Sequence, residues 1–455
     1  MPACPLTALA NIISKEVDIV TKAYSQKGLE FPSLDDTLPS PLDMDPSLVA
    51  HKALITAAAT QILAMVRPPV ETFLELSSGM YGTATSAFVV DTNIPDILKE
   101  AGDTGVHIKD IAVKTGVDAS YIARVLRFLA TRHIFKEVSP DVFANNRLSF
   151  PLAKAKSFEE IIADPIAGFD GAPLASFVSQ YADEGLPSST ALSSFIQDPE
   201  QNKTPFNIAF KTQSKLWDWY EEPENKWRAR RFSVAISGSA DRQYSKADLI
   251  DGVMAASLKE DDLIVDVGGG VGAMTHFLYQ EMPHYRYVVQ DLEKPIDGGK
   301  RFWNEVAPGV LESGRVELQV HDFFNPQPTK GAGLYLLRSV LLNWPDKDAK
   351  IILKRLRDSA NSSSKLIIFD FLAVHTCEAS SITSAPKEEI PYPLLPCLGI
   401  AGGGFVSGLD INMLNFFNGK VRTERDFREL GEVTGWKFES LMSGVSWASF
   451  LYTAM

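Results

Sequence analysis

The chain has 455 residues, of which 45% are hydrophobic and 22% are charged, a composition typical of a folded globular protein. Its formal net charge of -13 argues against nucleic acid as a partner, because such binding requires clustered lysines and arginines. Its three cysteines are far apart in the sequence, which excludes a disulfide framework or a CxxC metal site and favours a reducing, cytoplasmic location.

The N-terminal segment is predicted to be helical. Apolar residues mostly three or four positions apart predict a helix over residues 5–27, and a Pro- and Asp-rich stretch at 31–46 predicts an extended connection. A second helix is predicted over 47–66. It is apolar over most of its surface, which indicates burial on several sides. Because no apolar run reaches about 18 residues without interruption, we predict neither a transmembrane helix nor a membrane partner.

Residues 107–148 have the pattern of a winged helix-turn-helix. A short helix, a turn at Gly116, a second helix from Ala119 and a β-hairpin over 134–144 follow in order. Such a unit could bind DNA, or it could serve as a packing and dimerisation module. The acidic charge and the enzyme-like sequence that follows favour the second use.

A change of pattern near residue 245 marks a predicted domain boundary. Beyond it, short β-branched runs alternate with helices, which predicts an α/β domain with a doubly wound parallel sheet. The predicted strands are 263–267, 287–290, 316–320, 334–337 and 366–371. The predicted regions are a helical and winged-helix dimerisation domain (1–150), linking helices (151–245), which the family resemblance described below implies line the substrate pocket, and a nucleoside-binding domain (246–455).

A glycine-rich turn at residues 268–272 follows the first strand of this domain and begins a helix. Glycines allow the backbone to turn sharply and to approach a ligand closely. Such a turn, followed by an acid like Asp291 at the end of the next strand, also occurs in dinucleotide-binding proteins. Asp322 and Phe323 follow the third strand and could hold an adenine amino group and ring. Asp322 could also cap a helix that begins at Phe323.

The spacing of these three elements resembles that of class I methyltransferases. Over nearly its whole length, the sequence resembles the fungal S-adenosylmethionine (SAM)-dependent O-methyltransferases of secondary metabolism. The resemblance implies an N-terminal all-α and winged-helix dimerisation domain, a Rossmann-like SAM domain, a homodimer, a polyketide-derived small-molecule substrate and no metal. The residues that it assigns to SAM are Gly268, Gly270, Gly272, Asp291, Asp322, Phe323 and Arg338.

The sequence departs from this family at the catalytic residues. The family has a Leu-His-Asp-Trp motif whose histidine takes a proton from the substrate hydroxyl. Here Leu342 stands at the histidine position and Asn343 at the aspartate position. The glutamate that supports the histidine corresponds to Val421, whereas a second supporting acid is retained as Asp370. Loss of a general base typically costs about 10²–10⁴-fold in rate, so these replacements indicate a changed role.

The resemblance places the substrate cavity between the domains. Its predicted polar residues are Asn343, Asp370, Arg338 and Ser233, and its predicted apolar walls are Phe232, Ile236, Leu342, Met413, Phe416, Phe417 and Val421. Met413 and Phe417 are four positions apart and therefore share a helical face. Packing within a protein core would produce the same pattern.

An intact SAM site beside altered catalytic residues resembles the O-methyltransferase-like pericyclases of fungal 2-pyridone alkaloid biosynthesis. The first predicted function is therefore dehydration of an alcohol to a quinone methide, followed by hetero-Diels–Alder or Alder-ene cyclisation, with SAM bound but not consumed. The second is SAM-dependent methylation of an already acidic hydroxyl, such as an enol or a 4-hydroxy-2-pyridone. The third is an inactive SAM-binding partner of an active homologue.

Overall fold

The computed structural model describes residues 4–199, 203–243, 246–377, 390–443 and 447–455. Two compact units make up the chain, Met1–Arg242 with Pro391–Leu394, and Gln243–Ile390 with Leu395–Met455. The helices are α1 (Pro5–Gln26), α2 (Pro46–Val66), α3 (Pro69–Ser77), α4 (Gly79–Asp91), α5 (Ile94–Ala101), α6 (Ile108–Thr115), α7 (Ala119–Ala130), α8 (Phe158–Ala163), α9 (Pro173–Gln180), α10 (Leu186–Thr190), α11 (Leu192–Gln197), α12 (Pro205–Phe210), α13 (Leu216–Glu221), α14 (Lys226–Gln243), α15 (Lys246–Ala255), α16 (Ala273–Glu281), α17 (Glu293–Val306), α18 (Asp346–Arg357), α19 (Gly404–Phe417) and α20 (Glu424–Thr434). The strands are β1 (Val106–His107), β2 (Lys136–Ser139), β3 (Val142–Ala144), β4 (Leu263–Val267), β5 (Arg286–Asp291), β6 (Val316–Val320), β7 (Leu334–Arg338), β8 (Lys365–Phe371), β9 (Trp436–Ser443) and β10 (Trp447–Ala454).

The predicted winged helix-turn-helix is confirmed in the first unit. Helices α6 and α7 are followed by the β2–β3 hairpin, and the three short strands form a sheet in the order β1-β3-β2. The carboxylate of Asp118 caps α7 by accepting a hydrogen bond from the Ser120 N–H at 2.8 Å. Ile111, Ile122 and Leu126 are fully buried between these elements.

Helices α1 and α2 match the predicted ranges closely, but α2 is not buried as predicted. Only Leu48, Ala57 and Ala58 of α2 are buried, because the described parts of this chain leave its other sides uncovered. By length and composition, α2 could cross a membrane. An 18-residue window of this helix has a mean hydropathy of 1.4, and 11% of that window is buried. One such helix is weak evidence for a membrane span, since a helix that packs against another protein has the same composition.

The exposed apolar surface continues from α2 into α3. Five residues at the end of α2 and along α3 are between 59% and 73% exposed: Val66, Val70, Phe73, Leu74 and Leu76. We call this surface the α2–α3 face. A contiguous apolar surface of this kind usually marks a site of protein or membrane contact.

A buried ionic cluster holds α13 and α14 against a single π-helical turn at Tyr181–Gly185. The Arg231 guanidinium on α14 donates to Glu184 Oε1 and to Asp183 Oδ2, both at 2.8 Å. The Tyr220 hydroxyl on α13 donates to Glu184 Oε2 at 2.6 Å. Glu184 and Arg231 are 0% and 2% exposed. Burial raises the pKa of Glu184 even though the positive charge of Arg231 opposes that effect.

The second unit is built on a seven-stranded sheet in the order β6-β5-β4-β7-β8-β10-β9. Strands β4 to β8 are parallel and agree with the five predicted strands. Two separate apolar clusters contain buried side chains of the sheet and of its helices. The sequence did not predict β9 and β10, which pair antiparallel at one edge. The chain thus has the predicted α/β fold, with the order reversing at β4, where α/β sheets commonly bind ligands.

Arg231→Met should lower the free energy of unfolding by about 3–5 kcal/mol, because it leaves the buried carboxylate of Glu184 without its cation. Arg230 provides a matched control, since it pairs with Asp170 and the two side chains are 50% and 35% exposed. Arg230→Met should cost at most about 1 kcal/mol. Denaturant unfolding of both variants measures the difference, and equal losses would contradict the importance of the buried cluster.

Candidate functional site

The glycine-rich turn lies between β4 and α16. Gly268, Gly270 and Gly272 have positive φ angles of 74°, 61° and 82°, a conformation that favours glycine. A Cβ atom at Gly272 would lie 2.7 Å from Trp303 Nε1, so only glycine fits there without a shift. A Cβ at Gly270 would meet nothing within 4 Å. The turn is therefore packed tightly on the protein at Gly272 and open at Gly270.

Asp291, at the end of β5, supports the turn directly. Its Oδ2 atom accepts a hydrogen bond from the Gly270 N–H at 2.8 Å, and its Oδ1 atom accepts one from the Leu292 N–H at 2.7 Å. Burial raises the pKa of Asp291, and the two backbone hydrogen bonds oppose that rise. A carboxylate has about four lone-pair positions, so Asp291 retains the capacity to accept hydrogen bonds from ribose hydroxyls.

A second acid, Asp266, lies beneath the turn. It is 3% exposed and accepts a hydrogen bond from the Thr275 hydroxyl at 2.6 Å. Burial raises its pKa to about 6, although the Thr275 hydrogen bond lowers it. Asp266 connects the end of β4 to α16 and so fixes the path of the chain between them.

Asp322 and Phe323 follow β6. Asp322 is exposed, and its Oδ1 atom accepts a hydrogen bond from the Phe324 N–H at 3.0 Å, as expected of a local turn-capping residue. Phe323 lies beside the glycine turn, since its ring is 3.5 Å from the position of a Cβ at Gly268. Its ring meets that of Trp344 edge-on, with centroids 5.8 Å apart. Adenine binding by Asp322 stays a prediction.

The SAM-assigned residues share one edge of the sheet. The glycine turn follows β4, Asp291 ends β5, Asp322 follows β6 and Arg338 ends β7, which are adjacent strands in the sheet. Carboxyl ends of parallel strands meet at the same edge. The open Gly270 backbone and the carboxylate of Asp291 suit a ligand with a ribose, so the residues present fit SAM.

The two altered catalytic positions lie in one apolar cluster. Leu342 and Val421 are 5% and 3% exposed, and they belong to the same cluster as Met413 and Phe417 on α19. The Lys420 N–H donates to the Leu342 carbonyl oxygen at 2.9 Å. The structure therefore brings together four of the predicted pocket residues of the second unit.

Asp370 is held by the backbone around it. It is 1% exposed, and its two oxygens accept hydrogen bonds from the Leu342 N–H at 3.1 Å and the Phe371 N–H at 2.8 Å. Burial raises its pKa to about 7, against these hydrogen bonds and the positive charge of Arg422. In this geometry Asp370 positions Leu342. Direct contact between Asp370 and a substrate stays a prediction.

Arg422 joins the two loops that carry the altered positions. Its guanidinium donates to the carbonyl oxygens of Leu341 at 2.6 Å and Trp344 at 2.7 Å, and to the carboxylate of Asp346 at 2.9 Å. Its side chain is completely buried. A charged group without water requires such partners, so these contacts fix Leu342 and Val421 relative to each other.

The remaining predicted site residues are more dispersed. Asn343 is half-buried, and its Nδ2 atom lies 3.4 Å from the Ser339 carbonyl oxygen. Phe416 is 3% exposed and lies outside the cluster of Leu342. Phe232, Ser233 and Ile236 lie on α14 in the first unit, where Ile236 is 46% exposed. The substrate pocket that would combine the two groups stays a prediction.

The sequence reasoning missed Asp410, on α19. Its Oδ1 atom accepts a hydrogen bond from the Val421 N–H at 2.7 Å. The available signal was its spacing, because Asp410 lies three and seven positions before Met413 and Phe417 and therefore shares their helical face. A single acid in an apolar helix was too common a pattern to select it.

Comparison with known proteins identifies the family. The model of the O-methyltransferase domain matches residues 200–437, and that of the O-methyltransferase dimerisation domain matches residues 74–154. An O-methyltransferase of Armillaria gallica is 34% identical, over 96% of this chain and 95% of its own length. The 4-O-methyltransferase 1 of Phanerochaete chrysosporium is 32% identical, with the same coverage of both chains.

Solved structures have the same fold at lower identity. The complex of LepI with SAM matches with a TM-score of 0.66 and 19% identity, over 97% of this chain and 100% of that one. A structure described as a pericyclic reaction enzyme matches with a TM-score of 0.68 and 19% identity, over 97% of this chain and 99% of that one.

Substitutions in the glycine turn should separate cofactor binding from folding. Gly270→Ala adds a methyl group to the open space in which we expect SAM to lie, so SAM binding should weaken. The positive φ of residue 270 should cost only about 1–2 kcal/mol of stability. Gly272→Ala should destabilise the fold further, because the added carbon overlaps Trp303. Gly309, with a φ of 84° and open space around its Cβ position, is the matched control. Calorimetry should find SAM affinity unchanged in Gly309→Ala, and unchanged affinity in Gly270→Ala would contradict the assignment.

The pH dependence of stability should report on Asp370. Its folded-state pKa of about 7 exceeds the unfolded value near 4. Between about pH 4 and pH 7, Asp370 is therefore protonated in the folded chain and ionised in the unfolded chain. The stability that Asp370 contributes is therefore complete below about pH 4 and is lost as the pH rises through about 7. Relative to Asp370→Asn, the wild-type protein should lose stability over this window. Parallel stability curves for the two proteins would contradict the raised pKa.

Proposed function

The chain belongs to the O-methyltransferase family, a SAM-dependent family, and from that premise we propose that it methylates a small-molecule hydroxyl that is already acidic. The observation that carries the proposal is the pairing of a glycine turn and Asp291 that fit SAM with Leu342 and Val421, which are buried and apolar where the resemblance implies a base and its carboxylate. When bound, SAM supplies an electrophilic methyl group on a sulfonium. The relatives that are 34% and 32% identical are named as O-methyltransferases, which supports methyl transfer.

The missing base restricts the substrate by its acidity. A phenol with a pKa near 10 is ionised to about one part in 10³ at neutral pH, whereas a hydroxyl with a pKa near 6 is mostly ionised. That difference of about 10³-fold is the size of the advantage that a general base usually provides. An enol or a 4-hydroxy-2-pyridone therefore suits a site that offers Leu342 in place of an imidazole.

The chain's own residues contribute position and a dry surface. The glycine turn and Asp291 hold the nucleoside part of SAM at the end of β4 and β5. Leu342, Met413 and Val421 provide an apolar wall that excludes water, which strengthens electrostatic attraction between an oxyanion and a cation. Asp370 and Arg422 hold this wall in place through backbone hydrogen bonds.

A pericyclase is the second candidate. It is favoured by the replacement of both the base and its carboxylate with apolar residues, since cyclisation requires shape and electrostatics rather than proton abstraction. Dehydration to a quinone methide followed by hetero-Diels–Alder or Alder-ene closure would leave SAM unconsumed. We place it second because the structures with that description share 19% identity with this chain, a likeness of fold alone.

We further propose that the chain is a homodimer whose interface includes the α2–α3 face. The matched dimerisation domain begins at residue 74, within α3, so the exposed apolar surface runs directly into it. The occupant that fits this surface is the same surface of a second copy, as in a two-fold interface. Its apolar side chains are of the kind that obligate interfaces bury.

Leu342→His with Val421→Glu should extend methyl transfer to weakly acidic phenols. The imidazole would take the hydroxyl proton and the carboxylate would orient the imidazole, so the rate with a phenol of pKa near 10 should rise by about 10²–10⁴-fold. The rate with a 4-hydroxy-2-pyridone should change little. The measurement is S-adenosylhomocysteine release across a series of acceptors with graded hydroxyl pKa.

The single variants are the controls for that experiment. Val421→Glu alone should destabilise the protein most, because it buries a carboxylate beside Leu342 with no partner. Leu342→His alone should gain only part of the rate. If the double variant changes neither S-adenosylhomocysteine release nor the product pattern with any acceptor, the placement of the reacting hydroxyl beside residues 342 and 421 is wrong.

Phe73→Asp with Leu76→Asp should convert the dimer to a monomer, because it places four charges per dimer in an apolar interface. Light scattering coupled to size exclusion measures the mass. Val113→Asp is the matched control, since Val113 is an exposed apolar residue of the same unit, 84% exposed on α6, and should leave the dimer intact. A monomeric wild-type protein at micromolar concentration would contradict the proposal.

A further inference from the structure

Asp410 is a half-buried carboxylate at the altered catalytic position. It lies on α19, on the helical face that also carries Val406, Met413 and Phe417 into the cluster of Leu342. Its Oδ1 atom accepts the Val421 N–H at 2.7 Å. The structure therefore places a carboxylate against the backbone of the residue where the resemblance implies a glutamate.

Among the residues that the structure describes, no cation pairs with Asp410. Within the described residues, no Lys, Arg or His lies within 4.0 Å of its carboxylate, and the Val421 N–H is its one hydrogen-bond donor. The Oδ2 atom has no hydrogen-bond partner in that part of the chain. Asp410 is half-buried beside apolar side chains, and a carboxylate has about four lone-pair positions. Its Oδ2 atom can therefore accept a hydrogen bond from a bound ligand.

We propose that Asp410 Oδ2 accepts the proton of the substrate hydroxyl, an inference that rests on the proposed methyl transfer. The O–H bond breaks and its proton passes to Oδ2. The hydroxyl oxygen keeps the electron pair and bonds with it to the methyl carbon of SAM, while the carbon–sulfur bond breaks and its electrons stay on sulfur. The products are the methyl ether, S-adenosylhomocysteine and a protonated carboxyl, which returns its proton to water.

This role defines the substrate class more closely. A carboxylate is a weaker base than an imidazole, and proton transfer is efficient only when donor and acceptor have similar pKa values. A carboxylate base therefore serves enols and hydroxypyridones, and fails with simple phenols and alcohols. Replacement of the histidine and glutamate by one displaced carboxylate would thus change the enzyme's selectivity while preserving its reaction.

Asp410→Asn separates a chemical role from a structural one. The amide oxygen can still accept the Val421 N–H, so the loop keeps its support, but the amide cannot take a proton. At a pH below the hydroxyl pKa of a 4-hydroxy-2-pyridone, we expect its single-turnover rate to fall by about 10²-fold or more. Above that pKa the deficit should shrink, because solvent has already removed the proton. A deficit that is the same at both pH values, or no deficit, would overturn the proposal.

A binding measurement provides a readout that does not depend on turnover. In calorimetry with S-adenosylhomocysteine present, the wild-type protein should prefer the 4-hydroxy-2-pyridone to its 4-methoxy derivative, and Asp410→Asn should reduce that preference about tenfold. If the wild-type protein releases no S-adenosylhomocysteine but Asp410→Asn still loses the preference, methyl transfer fails as the function and the Asp410 contact stands. If the preference is unchanged in a folded Asp410→Asn protein, Asp410 does not contact the hydroxyl.

Discussion

The buried guanidinium of Arg422 is the constraint on which the candidate site depends. It lies at 0% side-chain exposure and binds two carbonyl oxygens of the loop at 341–344 and the carboxylate of Asp346. Removal of one partner from a buried charge typically costs about 3–5 kcal/mol, so the contacts of Arg422 couple the positions of the two loops. These contacts fix the backbone of the site, so differences in its chemistry come from the side chains that the loops carry.

Two side chains on that backbone differ from the catalytic motif that the resemblance implies for the family. Leu342 and Val421 occupy buried positions of one apolar cluster, and the glycine turn and Asp291 of the same unit fit SAM. The scaffold for methyl transfer is thus kept, while the means of removing a proton is changed. In the function that we propose, such a site selects its substrate by acidity as well as by shape, and Asp410 accepts the proton of the substrate hydroxyl.

The sequence predicted the parts of the structure that repeat a local pattern. Strands β4 to β8 follow from β-branched runs, and the glycine turn with Asp291 follows from their carboxyl ends meeting at one edge. The sequence could not predict that α2 lies exposed, because an apolar helix has the same composition whether its own chain or a partner covers it. It also missed Asp410, whose role depends on a 2.7 Å contact with Val421 that spacing alone does not reveal.

Mass spectrometry of the purified protein with SAM and a 4-hydroxy-2-pyridone alcohol tests the central claim most directly. Our account predicts a product heavier by one methylene, with an equal amount of S-adenosylhomocysteine. A product lighter by one water, or a cyclised isomer of it, with no S-adenosylhomocysteine formed, would contradict methyl transfer and establish the pericyclase in its place.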